Sequence, residues 1–126
     1  SVLAMKPKIL LLDEPTSSLD PVSAKNLIDA IIELNRKHRL TILISEHRLT
    51  YLIPHADKLA IMDKGKILYF DEPRKVLKED VLMYGVSIPR VVEVVTEMRK
   101  IGGCLPFREV PLSVDEFIKG LRGVLR

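Results

Sequence analysis

Ile9-Leu10-Leu11-Leu12-Asp13-Glu14-Pro15 runs four apolar residues straight into two adjacent carboxylates and a proline. A short apolar run that stops at polar turn residues reads as a strand buried on both faces. Charges at the end of such a strand stand where parallel sheets bind ligands, outside the carboxyl ends of the strands. Neighbouring carboxylates repel, and burial makes them costlier, so a cation, a water or a proton has to offset the repulsion. Asp13 holding Mg²⁺ and Glu14 orienting a water is the economical arrangement. A charge pair on a loop is the plainer one, and the dipeptide by itself favours it.

The residues that follow, Thr16-Ser17-Ser18-Leu19-Asp20-Pro21, reverse that preference. The whole run ILLLDEPTSSLDP resembles the Walker B strand and D-loop of ATP-binding-cassette ATPases. The hydrophobic tetrad, the paired acids, the Pro-Thr and the Ser-Leu-Asp all fall at that family's spacing. The resemblance implies that Asp13 coordinates Mg²⁺, usually through water, and that Glu14 polarises the attacking water. It places Ser18 and Asp20 on the nucleotide side of the site, with Asp20 reaching across a dimer interface.

The 126 residues suffice for one modest domain, and 47% hydrophobic residues permit a core. No apolar run approaches the length of a bilayer span, and no basic segment precedes a long apolar one as in a signal peptide. The lone Cys104 has no internal disulfide partner, which suits a reducing cytosol. Net charge is +3, but it is spread evenly. Residues 1–64 carry 9 basic and 8 acidic side chains, and residues 65–126 carry 11 and 9. Without a basic patch, and with no Trp to stack bases, no nucleic-acid partner is expected.

Lys6-Pro7-Lys8 ends what reads as a helix tail at Ser1–Met5. Asp20-Pro21 starts a helix, with Ala24, Leu27, Ile28 and Ile31 on one face and an end near Arg36–Arg39. Thr41-Ile42-Leu43-Ile44-Ser45 is a second buried strand, running into Glu46-His47-Arg48. Two such strands joined by one helix make a βαβ unit. His47 then lies near Asp13 and Glu14 at one sheet edge. A histidine after a strand is most often a surface residue, but its place one crossover beyond DEPTSSLD matches the family's switch histidine, which contacts the γ-phosphate. A short helix over Leu49–Ile53, stopped by Pro54, comes next. A third strand over Ala56–Asp63 turns at Lys64-Gly65 and pairs with Lys66–Phe70. Asp71-Glu72-Pro73 reads as a cap for a helix through Leu77, not a second acidic site, because it follows a hairpin.

The tail predicts two amphipathic helices. One starts at Ser87-Ile88-Pro89 with Val91, Val94, Val95 and Met98 on one face and ends at Gly102-Gly103. The other opens with the capping-box pattern Ser113-Val114-Asp115-Glu116 and lines up Val114, Phe117, Ile118 and Leu121. The tail resembles extensions on the ATPases of energy-coupling-factor and cobalt/nickel-type importers.

The first glycine is Gly65, so no G-x-x-x-x-G-K-[ST] phosphate-binding loop occurs. The glutamine loop and signature motif are also lacking. The resemblance thus covers residues 1–80 as the carboxyl-terminal half of an ATPase domain, with 81–126 as a helical extension. The expected fold is α/β: part of a P-loop NTPase (RecA-like) parallel sheet, a β-hairpin and a small helical tail. The chain is expected to be a piece of a larger ATPase, inactive alone, that uses ATP and Mg²⁺ when intact. Implied partners are its own amino-terminal half, a second ATPase domain packed head-to-tail, and transmembrane transporter subunits. The implied place is cytoplasmic, on the inner face of the cell membrane. An importer subunit for a vitamin or metal ion is favoured. A non-transport ATPase in translation or DNA repair, or a silent interaction module, are the alternatives. One free edge of Thr41–Ser45 is expected to recruit the amino-terminal half, swap strands with another copy, or be closed by the chain's own strands.

Overall fold

The computed structural model describes residues 7–77, 81–103 and 105–123; the Ser1–Met5 helix tail and Cys104 lie outside them. The expected βαβ unit is present. β1 (Ile9–Asp13) pairs in parallel with β2 (Thr41–Ser45), with Leu10 opposite Ile42 and Leu12 opposite Ile44. Helix α1 (Pro21–His38) connects them. The Asp20 side chain caps α1 by accepting from the N–H groups of Val22 and Ser23, and Pro21 costs nothing in the first turn because its missing N–H had no partner there. Arg39 ends the helix in the left-handed region, and the basic residues of the last turn suit the negative end of its dipole. Ala24, Ile28 and Ile31 are its buried residues.

The strands are not buried on both faces. Leu10, Leu12, Ile42 and Ile44 are half-buried, while Ile9, Leu11 and Leu43 on the opposite face are 61%, 69% and 64% exposed. A parallel sheet is covered on both sides only when helices lie on both faces. The single crossover between β1 and β2 supplies one layer, and none of the described residues supplies the other.

β3 (Leu59–Asp63) and β4 (Lys66–Asp71) form the expected hairpin. Its two-residue turn, Lys64-Gly65, has positive φ at both positions (47° and 75°), as a primed turn needs to match strand twist. The hairpin is a sheet of its own and does not close the free edge of β2. Leu59 and Ile61 pack instead with Leu49, Ile53, Val76 and Leu77 in the main core, so the hairpin is held by its face and not by ladder bonds to β2. Beyond β2, one isolated parallel bridge joins Arg48 and Ser87.

Three local expectations are corrected. The segment after Arg48 is not a helix over Leu49–Ile53 but a 3₁₀ turn over Ile53–His55. Pro54 is the second residue of that turn and does not stop it, since a proline is tolerated where the N–H is unpaired. Next, α2 covers Pro73–Val76, and α3 (Arg90–Lys100) buries Val92 and Val95 and leaves Val94 and Met98 exposed. Four valines at 91, 92, 94 and 95 wrap so much of the helix that periodicity alone allows two phases. Burial of Ile88, just ahead of the helix, accompanies the observed one. Finally, α4 (Val114–Arg122) has no fully buried residue; Phe117 stacks on Phe107 with centroids 5.1 Å apart, while Val114 and Ile118 face outward.

The tail is nevertheless tied down. Arg74 of α2, 31% exposed, forks onto both Glu116 carboxylate oxygens at 3.0 Å and donates to the Val110 carbonyl. Glu116 also accepts from the Leu112 N–H at 2.9 Å. Val110 and Leu112 belong to the same core as Leu59 and Val76.

Candidate functional site

The site grows from the carboxyl ends of β1 and β2. Register sets Asp13 opposite Ser45, so β1 and β2 end level. The Glu14 N–H then donates to the Ser45 carbonyl at 2.8 Å, and Glu14 turns the chain with φ of 42°. A left-handed glutamate is unusual and costs on the order of 1–3 kcal/mol; such strain persists where surrounding contacts impose it. Here they are the Ser45 bond and the return bond from Ser17 N–H to the Glu14 carbonyl at 3.1 Å.

That turn brings the Glu14 carboxylate to His47, with Oε1 3.2 Å from Nε2. The two side chains are 46% and 79% exposed, an open pair at the sheet edge. Asp13 is exposed at the same edge, on the open face of the sheet. Ser18 and Asp20 follow in the loop that enters α1, and Asp20 Oδ1 is engaged in the cap at 2.9 and 3.1 Å. The Ser23 side chain, followed by the Ser23 and Val22 N–H groups, holds the Asp20 carboxyl below its ordinary value. Of the five residues singled out from sequence, Glu14 and His47 are in direct contact, Asp13 adjoins Glu14 at the strand end, and Ser18 and Asp20 lie along the connecting loop.

Sequence reasoning gave no role to Glu46 and Arg48, and it passed over Thr16. Thr16 is 3% exposed and is the buried polar residue of the described chain. Its N–H and hydroxyl both donate to Glu46 Oε2, at 3.2 and 2.5 Å. Glu46 Oε1 accepts from the N–H groups of His47 and Arg48 at 3.0 and 3.2 Å. Arg48 reaches back to the carbonyls of Thr16 (2.7 Å) and Ser17 (3.1 Å). Burial pushes the Glu46 carboxyl up, but the Thr16 hydroxyl and the three N–H donors outweigh it and hold the group below its ordinary value. The visible signal was three consecutive polar residues after a strand; no sequence rule paired Glu46 with Thr16.

Among the described residues no group of three His, Cys, Asp or Glu could hold a metal by itself. The hard, exposed Asp13 carboxylate fits a Mg²⁺ ion that takes one or two protein oxygens and completes its shell from phosphates and water.

No family model matches the chain. An ABC transporter ATP-binding protein of Pyrococcus horikoshii is 40% identical over 124 residues, covering 97% of this chain and 43% of that protein. The chain belongs to the ATP-binding-cassette family. The energy-coupling factor transporter ATP-binding protein EcfA2 of Caldanaerobacter subterraneus is 32% identical over 130 residues, 98% of this chain and 46% of that protein. Among solved structures, CbiO1 of Clostridium perfringens, described as part of the ABC transporter complex CbiONQ, superposes with a TM-score of 0.57 at 28% identity. That match covers 75% of this chain and 38% of CbiO1. The fold is thus α/β and of the CbiO kind. The chain spans about half the length of the curated relatives it matches.

Proposed function

We propose that this ATP-binding-cassette chain supplies the water-activating half of a transporter ATPase, in an importer for a vitamin or metal ion. The observation that carries the reading is the Glu14–His47 contact of 3.2 Å at the carboxyl edge of the parallel pair. Glu14 would orient the attacking water, and His47 would contact the γ-phosphate and hold Glu14 in place. Phosphoryl transfer is governed by positioning and charge, so two residues fixed in this way suffice for the water side of the reaction. Asp13 would hold Mg²⁺, which neutralises phosphate charge when bound. Ser18 and Asp20 would face the nucleotide, with Asp20 meeting a second ATPase domain packed head-to-tail.

The rest of the protein would supply the phosphate-binding loop and cover the open face bearing Ile9, Leu11 and Leu43. The functional division falls at residue 80, with 81–126 a helical extension, even though the core runs across that point. Among the described residues no helix is long and apolar enough to cross a membrane. In this reading, membrane subunits would hold the ATPase at the inner face of the membrane. The reading is tested on the full-length protein assembled with its membrane subunits. Mg²⁺-dependent ATP hydrolysis that Glu14→Gln suppresses supports it; absence of ATP binding, or hydrolysis indifferent to Glu14→Gln, rejects it.

A further inference from the structure

The Glu14–His47 pair is exposed on both sides, and such exposed side-chain pairs contribute little by themselves. Its 3.2 Å geometry has to be imposed by the backbones that carry the two side chains. Those backbones are joined at the strand ends by the Glu14–Ser45 bond and, beyond it, by one carboxylate. Glu46 Oε2 takes both donors of buried Thr16, and Oε1 takes the N–H groups of His47 and Arg48. Arg48 returns two bonds to the carbonyls of Thr16 and Ser17. Thr16 is cut off from water, so without Glu46 its N–H and hydroxyl would lose their acceptor.

We propose that Glu46 and Arg48 are positioning residues that clamp the 16–17 backbone to His47, so that Glu14 and His47 move as one body. The proposal rests on the ATPase reading of Glu14 and His47 for its kinetic consequence, but not for the clamp. The clamp requires an ionised carboxylate. Its two oxygens face four donors, and a glutamine would turn an NH₂ group toward one pair of them. Glu46→Gln keeps size and shape and still disrupts one side. Thr16→Val removes the hydroxyl donor without changing volume much. Arg48→Lys, at an exposed position, replaces the fork by a point charge.

The experiment uses the full-length protein with its membrane subunits, read by ATP kinetics and by amide hydrogen exchange. Each of the three variants is expected to lower kcat, by on the order of 10- to 100-fold for Glu46→Gln, with KM for ATP within about twofold. Exchange should rise in both the 14–19 and 46–49 segments whichever side is mutated. The Glu46→Gln/Thr16→Val double variant should lose scarcely more than the worse single one, because both break one unit. The clamp is overturned if each substitution loosens only its own segment, if losses add, or if Glu46→Gln turns over normally while Glu14→Gln does not. Should Glu14→Gln itself turn over normally, the water-orienting reading fails, and two-segment exchange alone decides the clamp. If Glu46→Gln does not fold, Arg48→Lys decides by the same two-segment pattern.

Discussion

His47 Nε2 stands 3.2 Å from Glu14 Oε1, across the carboxyl ends of two parallel strands joined by a single helix. Neither residue is placed by its own side chain. Glu14 is placed by a left-handed turn bonded to Ser45, and His47 by the hydrogen bond from its N–H to Glu46. Replacing the imidazole therefore removes a polar group without undoing the turn. In the full-length ATPase, His47→Ala should lower kcat by on the order of 10-fold or more, with ATP binding and melting temperature close to wild type. A variant with unchanged kcat would show that the contact is incidental.

Acid should weaken the fold through the carboxyls held low in the folded state, Asp71 and two that flank the site. Asp20 is held below its ordinary 3.8 and Glu46 below its ordinary 4.5. With depressed folded-state values, both contribute stability that is fully present above those ordinary values. It is lost as pH falls through the lower folded ones. Denaturation midpoints of the full-length protein should drop between about pH 5 and pH 3, and Glu46→Gln should make that drop shallower. Stability that climbs on acidification through this window would contradict the sign.

The C-terminal helix depends on one cation. Arg74→Ala leaves Glu116 without its fork and the Val110 carbonyl without a donor. A cost of about 1–2 kcal/mol is expected, discounted from a buried charged bond because the group is partly exposed. Amide exchange should rise over residues 110–122. If exchange there does not change, the Phe107–Phe117 stack and core residues Val110 and Leu112 hold the tail without Arg74.

Much of this was legible in the residues. The ILLLD and TILIS runs, with Asp20-Pro21 between them, announce strand, capped helix and strand. Lys64-Gly65 announces the hairpin. Asp13, Glu14 and His47 could be put at one edge because parallel strands end on the same side. What escaped was whatever depends on a partner distant in sequence. Burial of Ile9, Leu11 and Leu43 depends on a second layer, which strand composition cannot reveal. The phase of α3 depended on the core that takes in Val92 beside Leu49, Ile53 and Leu59, and the role of Glu46 on a buried Thr16.

The open sheet face offers a separate check. Leu11 is largely exposed here, so Leu11→Ala in the 126-residue chain should change stability by less than about 0.5 kcal/mol. If the remainder of the protein covers that face, the same substitution at full length should cost about 2–3 kcal/mol. Equal small effects in both would leave the face uncovered and remove the reason for placing the other half there.

The most direct measurement compares ATP binding and single-turnover hydrolysis in one preparation of full-length Glu14→Gln protein with its membrane subunits. Glutamine keeps the size of Glu14 but cannot take a proton from water. Binding should stay within a few-fold of wild type while the hydrolytic step slows by about 10²- to 10⁴-fold. Hydrolysis at the wild-type rate with ATP bound as tightly would show that Glu14 does not orient the water.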